Sequence, residues 1–148
     1  MGNKGPTKHL KRHQSPAFWP IHRKSGTWAV KPSSGPHSQD TSIPTTVIMR
    51  DQLNYAVTAR EAKLLIKNGK LLVDGKVRKD DRFPVGLMDV VTIPDTGENF
   101  RVLPDHGGKL KFLSISKDES QFKLCRIIGK TTQSAGKAQL NLHDGSNI

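Results

Sequence analysis

Residues Thr58 to Ile93, TAREAKLLIKNGKLLVDGKVRKDDRFPVGLMDVVTI, leave the chain few ways to fold. Thr58 and Glu61 have the T-x-x-E spacing of a capping box, so a helix starts there. Ala62, Leu65, Ile66 and Gly69 fall on its inner side. Arg60, Lys63 and Lys67 recur at steps of three and four and give the outer side one continuous basic face. Asn68-Gly69 stops the helix, because glycine accepts a left-handed conformation without steric penalty. Leu71–Val73 is a short strand, Asp74-Gly75 a hairpin turn, and Lys76–Arg78 the return strand. Lys79 to Arg82 is a polar loop. Gly86 and Asp89 are read as turn residues before a closing strand at Val90–Ile93.

The segment before this run is different. Residues 1–41 contain Pro6, Pro16, Pro20, Pro32 and Pro36 among several glycines, so long helices and strands cannot cross them. One short helix is expected around Lys8–Gln14 and extended chain elsewhere. These residues carry 7 Lys/Arg against 1 acid, which is +6 of a formal net charge of +11. Such a basic arm attracts polyanions. Phe18, Trp19 and Trp28 lie between Arg12, Arg23, Lys24 and Lys31. Either they stack on bases or sugars while the cations neutralise phosphates, or they cover a hydrophobic edge of the same protein.

Between arm and central run, Thr45 or Thr46 is expected to cap a helix over Val47–Ala56. Met49, Leu53 and Ala56 form its apolar stripe. Arg50 and Asn54 lie away from that stripe, four residues apart, where they can reach a nucleic acid together. Val57 alone then separates two helices, which implies a sharp corner. Beyond residue 94, strands are expected at Phe100–Leu103, Lys109–Ile115, Lys123–Ile128 and Ala138–Leu142, with a loop from Gly129 to Gly136. They suggest a small antiparallel sheet or open barrel.

Several function classes are disfavoured. The single cysteine, Cys125, excludes an intramolecular disulfide framework and a Cys-rich zinc site. Lying in the apolar run Phe122–Ile128, it is expected to be a small buried residue in a protein of a reducing compartment. No apolar stretch is long enough for a membrane span. His9, His13, His22 and His37 match no zinc spacing, so neither a metal nor a cofactor is expected. Asp74 and Asp89 are the best aspartates for a catalytic role, but turn geometry accounts for both, and no catalytic residue is assigned.

The central run resembles the S-four type RNA-binding domain, in which a helix pair and a β-hairpin grip structured RNA. The resemblance rests on Thr58-Ala59-Arg60-Glu61-Ala62, Gly69, Val73-Asp74-Gly75 and Gly86-Leu87-Met88-Asp89. Ala59 stands where many members place an arginine, and Arg60 follows one residue later. The blocks GPTKHLKRHQSPAFW, KPSSGPH, TGENFRVL and FKLCRIIGK extend the match. They are similar to the small-subunit ribosomal protein S-four-e family of archaea and eukaryotes. That family continues with a β-barrel module of the KOW type, whose sequence does not occur in these 148 residues.

The resulting expectation is an α+β chain in three parts. Residues 1–41 form an extended basic arm. Residues 42–94 form a small helix-turn-helix plus β-hairpin domain of the S-four kind, and 95–148 a small antiparallel β domain. The resemblance implies a structural, non-enzymatic constituent of the small ribosomal subunit, in the cytoplasm. Its partners are small-subunit rRNA and neighbouring ribosomal proteins, with no membrane and no small-molecule substrate. The expected RNA contacts are Lys8, His9, Lys11, Arg12, Arg23 and Lys31 in the arm. Arg50, Asn54, Arg60, Lys63, Lys67, Lys70, Lys76, Arg78 and Lys79 follow in the domain. The alternatives are an RNA-binding factor that visits the ribosome during rescue or assembly, and the RNA-binding part of an rRNA-modifying enzyme such as a pseudouridine synthase.

Overall fold

The computed structural model describes residues 9–133 and 136–148. The fold is α+β. Its backbone is an antiparallel five-stranded sheet in the order Lys76–Val77, Leu72–Val73, Val90–Ile93, Glu98–Pro104, Leu110–Ile115. Strands β4 (Leu72–Val73) and β5 (Lys76–Val77) are the expected hairpin. Strand β7 (Val90–Ile93) is the expected closing strand. Asp74 and Gly75 both take positive φ at the turn, which matches the right-handed twist of the two strands. Strands β8 (Glu98–Pro104) and β9 (Leu110–Ile115) add to the same sheet, with Val91 opposite Phe100 and Val102 opposite Phe112. The sheet therefore continues across residues 94 and 95. Strands β10 (Ile127–Thr132) and β11 (Ala138–Leu142), further along the chain, form a separate hairpin.

Helix α2 (Ala59–Lys67) has the expected capping box: the Glu61 amide donates to Thr58 Oγ1 at 3.2 Å and the Thr58 amide to Glu61 Oε2 at 3.3 Å. The Val57 and Thr58 N–H groups, both donating to Glu61 Oε2, hold its carboxyl below the usual pKa. Ala62 and Ile66 are fully buried and Leu65 half-buried, while Leu64 faces solvent. Asn68 is the C-cap, and Gly69 follows at φ 77° with its amide on the Ile66 carbonyl. A nine-residue helix is marginal by itself, so its cap and buried face decide whether it forms. Thr58→Ala is expected to cost about 1 kcal/mol in urea denaturation while leaving the sheet's far-UV signal intact.

The preceding helix differs from expectation. It begins as α1 (Thr45–Val47) and opens at once into a π turn, Ile48–Gln52. The Leu53 amide bonds to the Ile48 carbonyl at 2.9 Å, five residues back. Pro44 is its N-cap, not Thr45 or Thr46. The two threonines instead donate their hydroxyls to the Asp80 and Asp81 carbonyls and tie the helix to the loop before β6 (Pro84–Gly86). Asn54, at φ 56°, ends the helical path, so the corner is a loop ahead of Thr58 and not Val57 alone.

Strand β3 (Ser42–Pro44) pairs with β6, wholly buried. The core joins Ile43, Val47, Ile48 and Met49 to Ala62, Ile66, Leu71, Val73, Val85, Val91 and Val102. Trp19 belongs to it too, 2% exposed, with its indole N–H on the Ser42 carbonyl at 2.8 Å. It is thus part of the protein's own core. The arm is not free chain. Strands β1 (Leu10–Lys11) and β2 (Trp28–Ala29) pair, and the expected helix is a single 3-10 turn, Arg12–Gln14. Gly86 serves close approach: a Cβ there would meet the His37 ring at 2.5 Å.

The strand expected at Lys123–Ile128 starts later, at Ile127, and runs to Thr132 into the expected loop. The rest of that loop includes residues 134–135, outside the described residues. The run Phe122–Ile128 is not a buried strand: Phe122, Leu124, Ile127 and Ile128 are exposed. Cys125 is half-buried, its thiol 3.6 Å from Asp144 Oδ2. Its pKa is raised, first by burial and then by the Asp144 charge.

Candidate nucleic-acid interface

Helix α2 presents Arg60, Lys63 and Lys67 to solvent, because Ala62 and Ile66 turn the other way into the core. Lys63 lies 3.4 Å from Asp81 and keeps nearly half its side chain exposed. A pair so open to water contributes at most about 1 kcal/mol, so the ammonium exchanges readily onto another anion. The helix leads through Gly69 to Lys70, whose Nζ is 2.9 Å from the exposed Asp95. Lys76 and Lys79 are exposed on and beyond the hairpin. Arg78 is half-buried, its guanidinium 4.3 Å from the Phe83 ring centre. Its Nε is buried without a partner among the described residues.

Arg50 and Asn54 come together as the sequence suggested, for a different reason. The π turn and the positive φ at Asn54, not a regular helix face, set them in one cleft with Arg12, Ser25 and the Val57-Thr58-Ala59 start of α2. Arg50 is held by both oxygens of Asp51, at 3.0 and 2.7 Å.

In the arm the candidates divide. His9 and Lys11 are exposed. Lys31 is half-buried, and Lys8 lies outside the described residues. Arg12 is 9% exposed and donates from Nε to the Trp28 carbonyl and from Nη1 to the His22 carbonyl. Arg23 reaches the Pro16 carbonyl at 2.8 Å and those of Arg12, His13 and Ser15 at 3.1–3.3 Å. These two guanidiniums satisfy backbone acceptors that a chain without regular structure leaves over. Their donors hold the arm's shape.

The structure also contains a site that sequence reasoning missed. Lys123 Nζ sits among three carboxylates: Asp89 Oδ1 at 2.6 Å, Asp74 Oδ2 at 2.8 Å and Asp144 Oδ2 at 3.0 Å. Asp89 is 1% exposed. Its other oxygen accepts from the Gly86 amide at 2.8 Å and bonds His37 Nε2 at 3.0 Å. Asp74 accepts the Val90 amide, and Asp144 accepts the Ser146 amide and hydroxyl. Hairpin, closing turn and the turn after β11 thus meet at one ammonium, and the arm joins them through His37 on Asp89.

Burial opposes the Lys123 charge, and the carboxylates more than offset it, holding its pKa above the lysine range. Burial likewise opposes ionisation of Asp89, outweighed by His37, Lys123 and the Gly86 N–H, so its pKa is lowered. Asp144 is lowered in the same way, with Ser146 and Lys123 outweighing desolvation. Asp74 and Asp89 are turn residues, as expected from sequence, and their second oxygens make the knot. Lys123 lies 49 residues from Asp74 and 34 from Asp89. Sequence spacing gave no signal of that junction.

The RS4NT (NUC023) domain matches residues 4–40, the S4 domain residues 47–91, and the ribosomal family S4e residues 96–148. The small ribosomal subunit protein eS4 of Methanothermobacter thermautotrophicus is 54% identical over 140 residues, covering 95% of this chain and 58% of that protein. Those of Methanosphaera stadtmanae and Staphylothermus marinus are 50% and 53% identical over 148 residues, covering 61% and 59% of their length. The chain thus spans about three-fifths of the length of these relatives. The crystal structure of the 30S ribosomal protein S4e from Thermoplasma acidophilum superposes with a TM-score of 0.62 at 34% identity, over 74% of this chain and 56% of that one. With an amino-terminal domain, an S4 domain and an S4e segment in order over nearly its whole length, the chain belongs to the S4e family of ribosomal proteins.

Proposed function

We propose that this chain is a structural, non-enzymatic constituent of the small ribosomal subunit that binds small-subunit rRNA. The observation that carries the reading is the exposed face of Arg60, Lys63 and Lys67 on a helix whose opposite side is fixed in the core. Lys70, Lys76 and Lys79 continue it along the chain, and Arg50 and Asn54 stand at its start. Folded RNA is recognised largely through shape, phosphate and 2′-hydroxyl contacts, which a rigid row of cations supplies. His9 and Lys11 extend the contact into the arm. Arg12 and Arg23 serve it indirectly, by ordering the chain that displays them. Asp89, which an enzymatic reading would need, is enclosed by His37, Lys123 and Gly86.

The test is the salt dependence of binding to protein-free small-subunit rRNA. With six to ten phosphate contacts, affinity falls by roughly 10³–10⁵ between about 50 and 200 mM salt, taking the duplex slope as an upper guide. A flat response would contradict the proposal.

A further inference from the structure

The two tryptophans have opposite fates. Trp19 is locked in the core, whereas Trp28 is 58% exposed. Register explains the second. Strands β1 and β2 pair Leu10 with Ala29 and Lys11 with Trp28. Residues directly opposite in an antiparallel pair point to the same face, and neighbours alternate. Leu10 therefore faces the core, where it is buried. Lys11 and Trp28 share the outer face. His9, two residues before Lys11, lies on that face as well, with its ring centroid 5.4 Å from that of Trp28 at 52°.

The backbone under Trp28 is held unusually well for an arm. Arg12, itself buried, donates its amide to the Thr27 carbonyl at 3.0 Å and its Nε to the Trp28 carbonyl at 3.2 Å. Its Nη1 reaches the His22 carbonyl at 2.8 Å, closing the far side of the loop. Arg23 then ties that loop to the turn around Arg12. A single exposed apolar side chain is ordinary on a protein surface. This one has an imidazole against its ring and a lysine directly opposite on the paired strand. Beyond Lys11 lies a polar recess lined by His13, Arg23, Lys24 and the Ser25–Thr27 turn.

We propose that Trp28 and His9 form a stacking platform for one unpaired RNA base, with Lys11 taking the adjoining phosphate. An aromatic face flanked by cations is what an unpaired nucleotide requires, since every base has a π-face and a phosphate follows it. The platform rests on the rRNA-binding reading above and specifies the ligand of its arm.

The experiment uses the full chain and protein-free small-subunit rRNA, titrated at several salt concentrations. Stacking and charge separate by their salt response. Trp28→Ala is expected to weaken binding by roughly 5- to 150-fold at every salt, with the slope unchanged. Lys11→Ala is expected to lower the slope by about 0.7. Trp28→Phe recovers part of the loss, and binding quenches the emission of Trp28 in the wild type but not that of Trp19. Because Trp28 is on the surface, the unchanged emission of buried Trp19 reports that the variants are folded. Binding of Trp28→Ala within twofold of a wild type that itself binds with steep salt dependence would overturn the platform alone. That result would leave the exposed indole to a neighbouring protein. A wild type that does not bind would overturn both the platform and the rRNA reading.

Discussion

Lys123→Met is expected to destabilise the protein by about 3–5 kcal/mol, the usual cost of removing one partner from a buried ion pair. Methionine fills nearly the same volume, so the loss is electrostatic and not a cavity. It leaves Asp89 ionised and enclosed, with Asp74 and Asp144 brought near it by the fold. Urea denaturation followed by the emission of Trp19 measures the change. A loss under about 1 kcal/mol, the value of a surface pair, would show that the knot does not hold the segments together.

The same junction predicts a pH dependence with a definite sign. The carboxyls of Asp89 and Asp144 lie below their ordinary value near 3.8 in the folded protein. A lowered pKa stabilises the fold above the unfolded value, and that stability is lost as pH falls through the folded one. Wild-type stability should therefore rise with pH through the acid range and be largely gained by about pH 5. In Lys123→Met the ammonium is absent and burial of Asp89 acts with less opposition. The acid rise should shrink, so wild type and variant differ most at neutral pH and converge below about pH 4. The raised pKa of Lys123 works at the other end: its contribution is complete below the ordinary lysine value and fades only above it.

The second large effect is expected on binding. The triple replacement Arg60→Ala, Lys63→Ala, Lys67→Ala removes three exposed cations and no buried side chain. The fold should be unaffected, since alanine has the better helix propensity. At about 0.15 M salt, affinity for small-subunit rRNA should fall by roughly two orders of magnitude. The slope of log affinity against log salt should drop by about 2–3. Three glutamines at these positions should behave as the alanines do, because the term is charge. An unchanged slope would remove α2 from the interface.

What the sequence made legible was local. The T-x-x-E cap, the Asn68-Gly69 stop, the Asp74-Gly75 turn and Val90–Ile93 depend on neighbours within a few residues, and each stands where it was read. The basic face of α2 followed from the same short periodicity. What stayed hidden was set by distant partners. Thr45 and Thr46 look like caps until Asp80 and Asp81 offer them carbonyls. The π turn at Ile48–Gln52 breaks the spacing that a regular helix assumes. Strands β8 and β9 extend the sheet instead of starting a new one, because Val102 has a place in the core already built by Val91 and Ile66.

Charge in the arm covers two different uses. Arg12 and Lys11 are adjacent and equally cationic in sequence, yet one is buried on carbonyls and the other exposed. Five donors in a planar fork suit arginine for tying loops of backbone together, and nothing in composition separates that use from phosphate binding. The Lys123 junction was illegible for a related reason. Turns accounted for Asp74 and Asp89, yet the Asp89 turn uses one oxygen and Asp74 spends its first on the distant Val90 amide, leaving an oxygen of each for Lys123.

The outer face of α2 and the outer face of the arm are expected to touch rRNA at once. The most direct test is crosslinking from Lys67 and Lys11 in intact small subunits. Crosslinks to small-subunit rRNA are expected from both positions. Crosslinks from neither would contradict that joint contact.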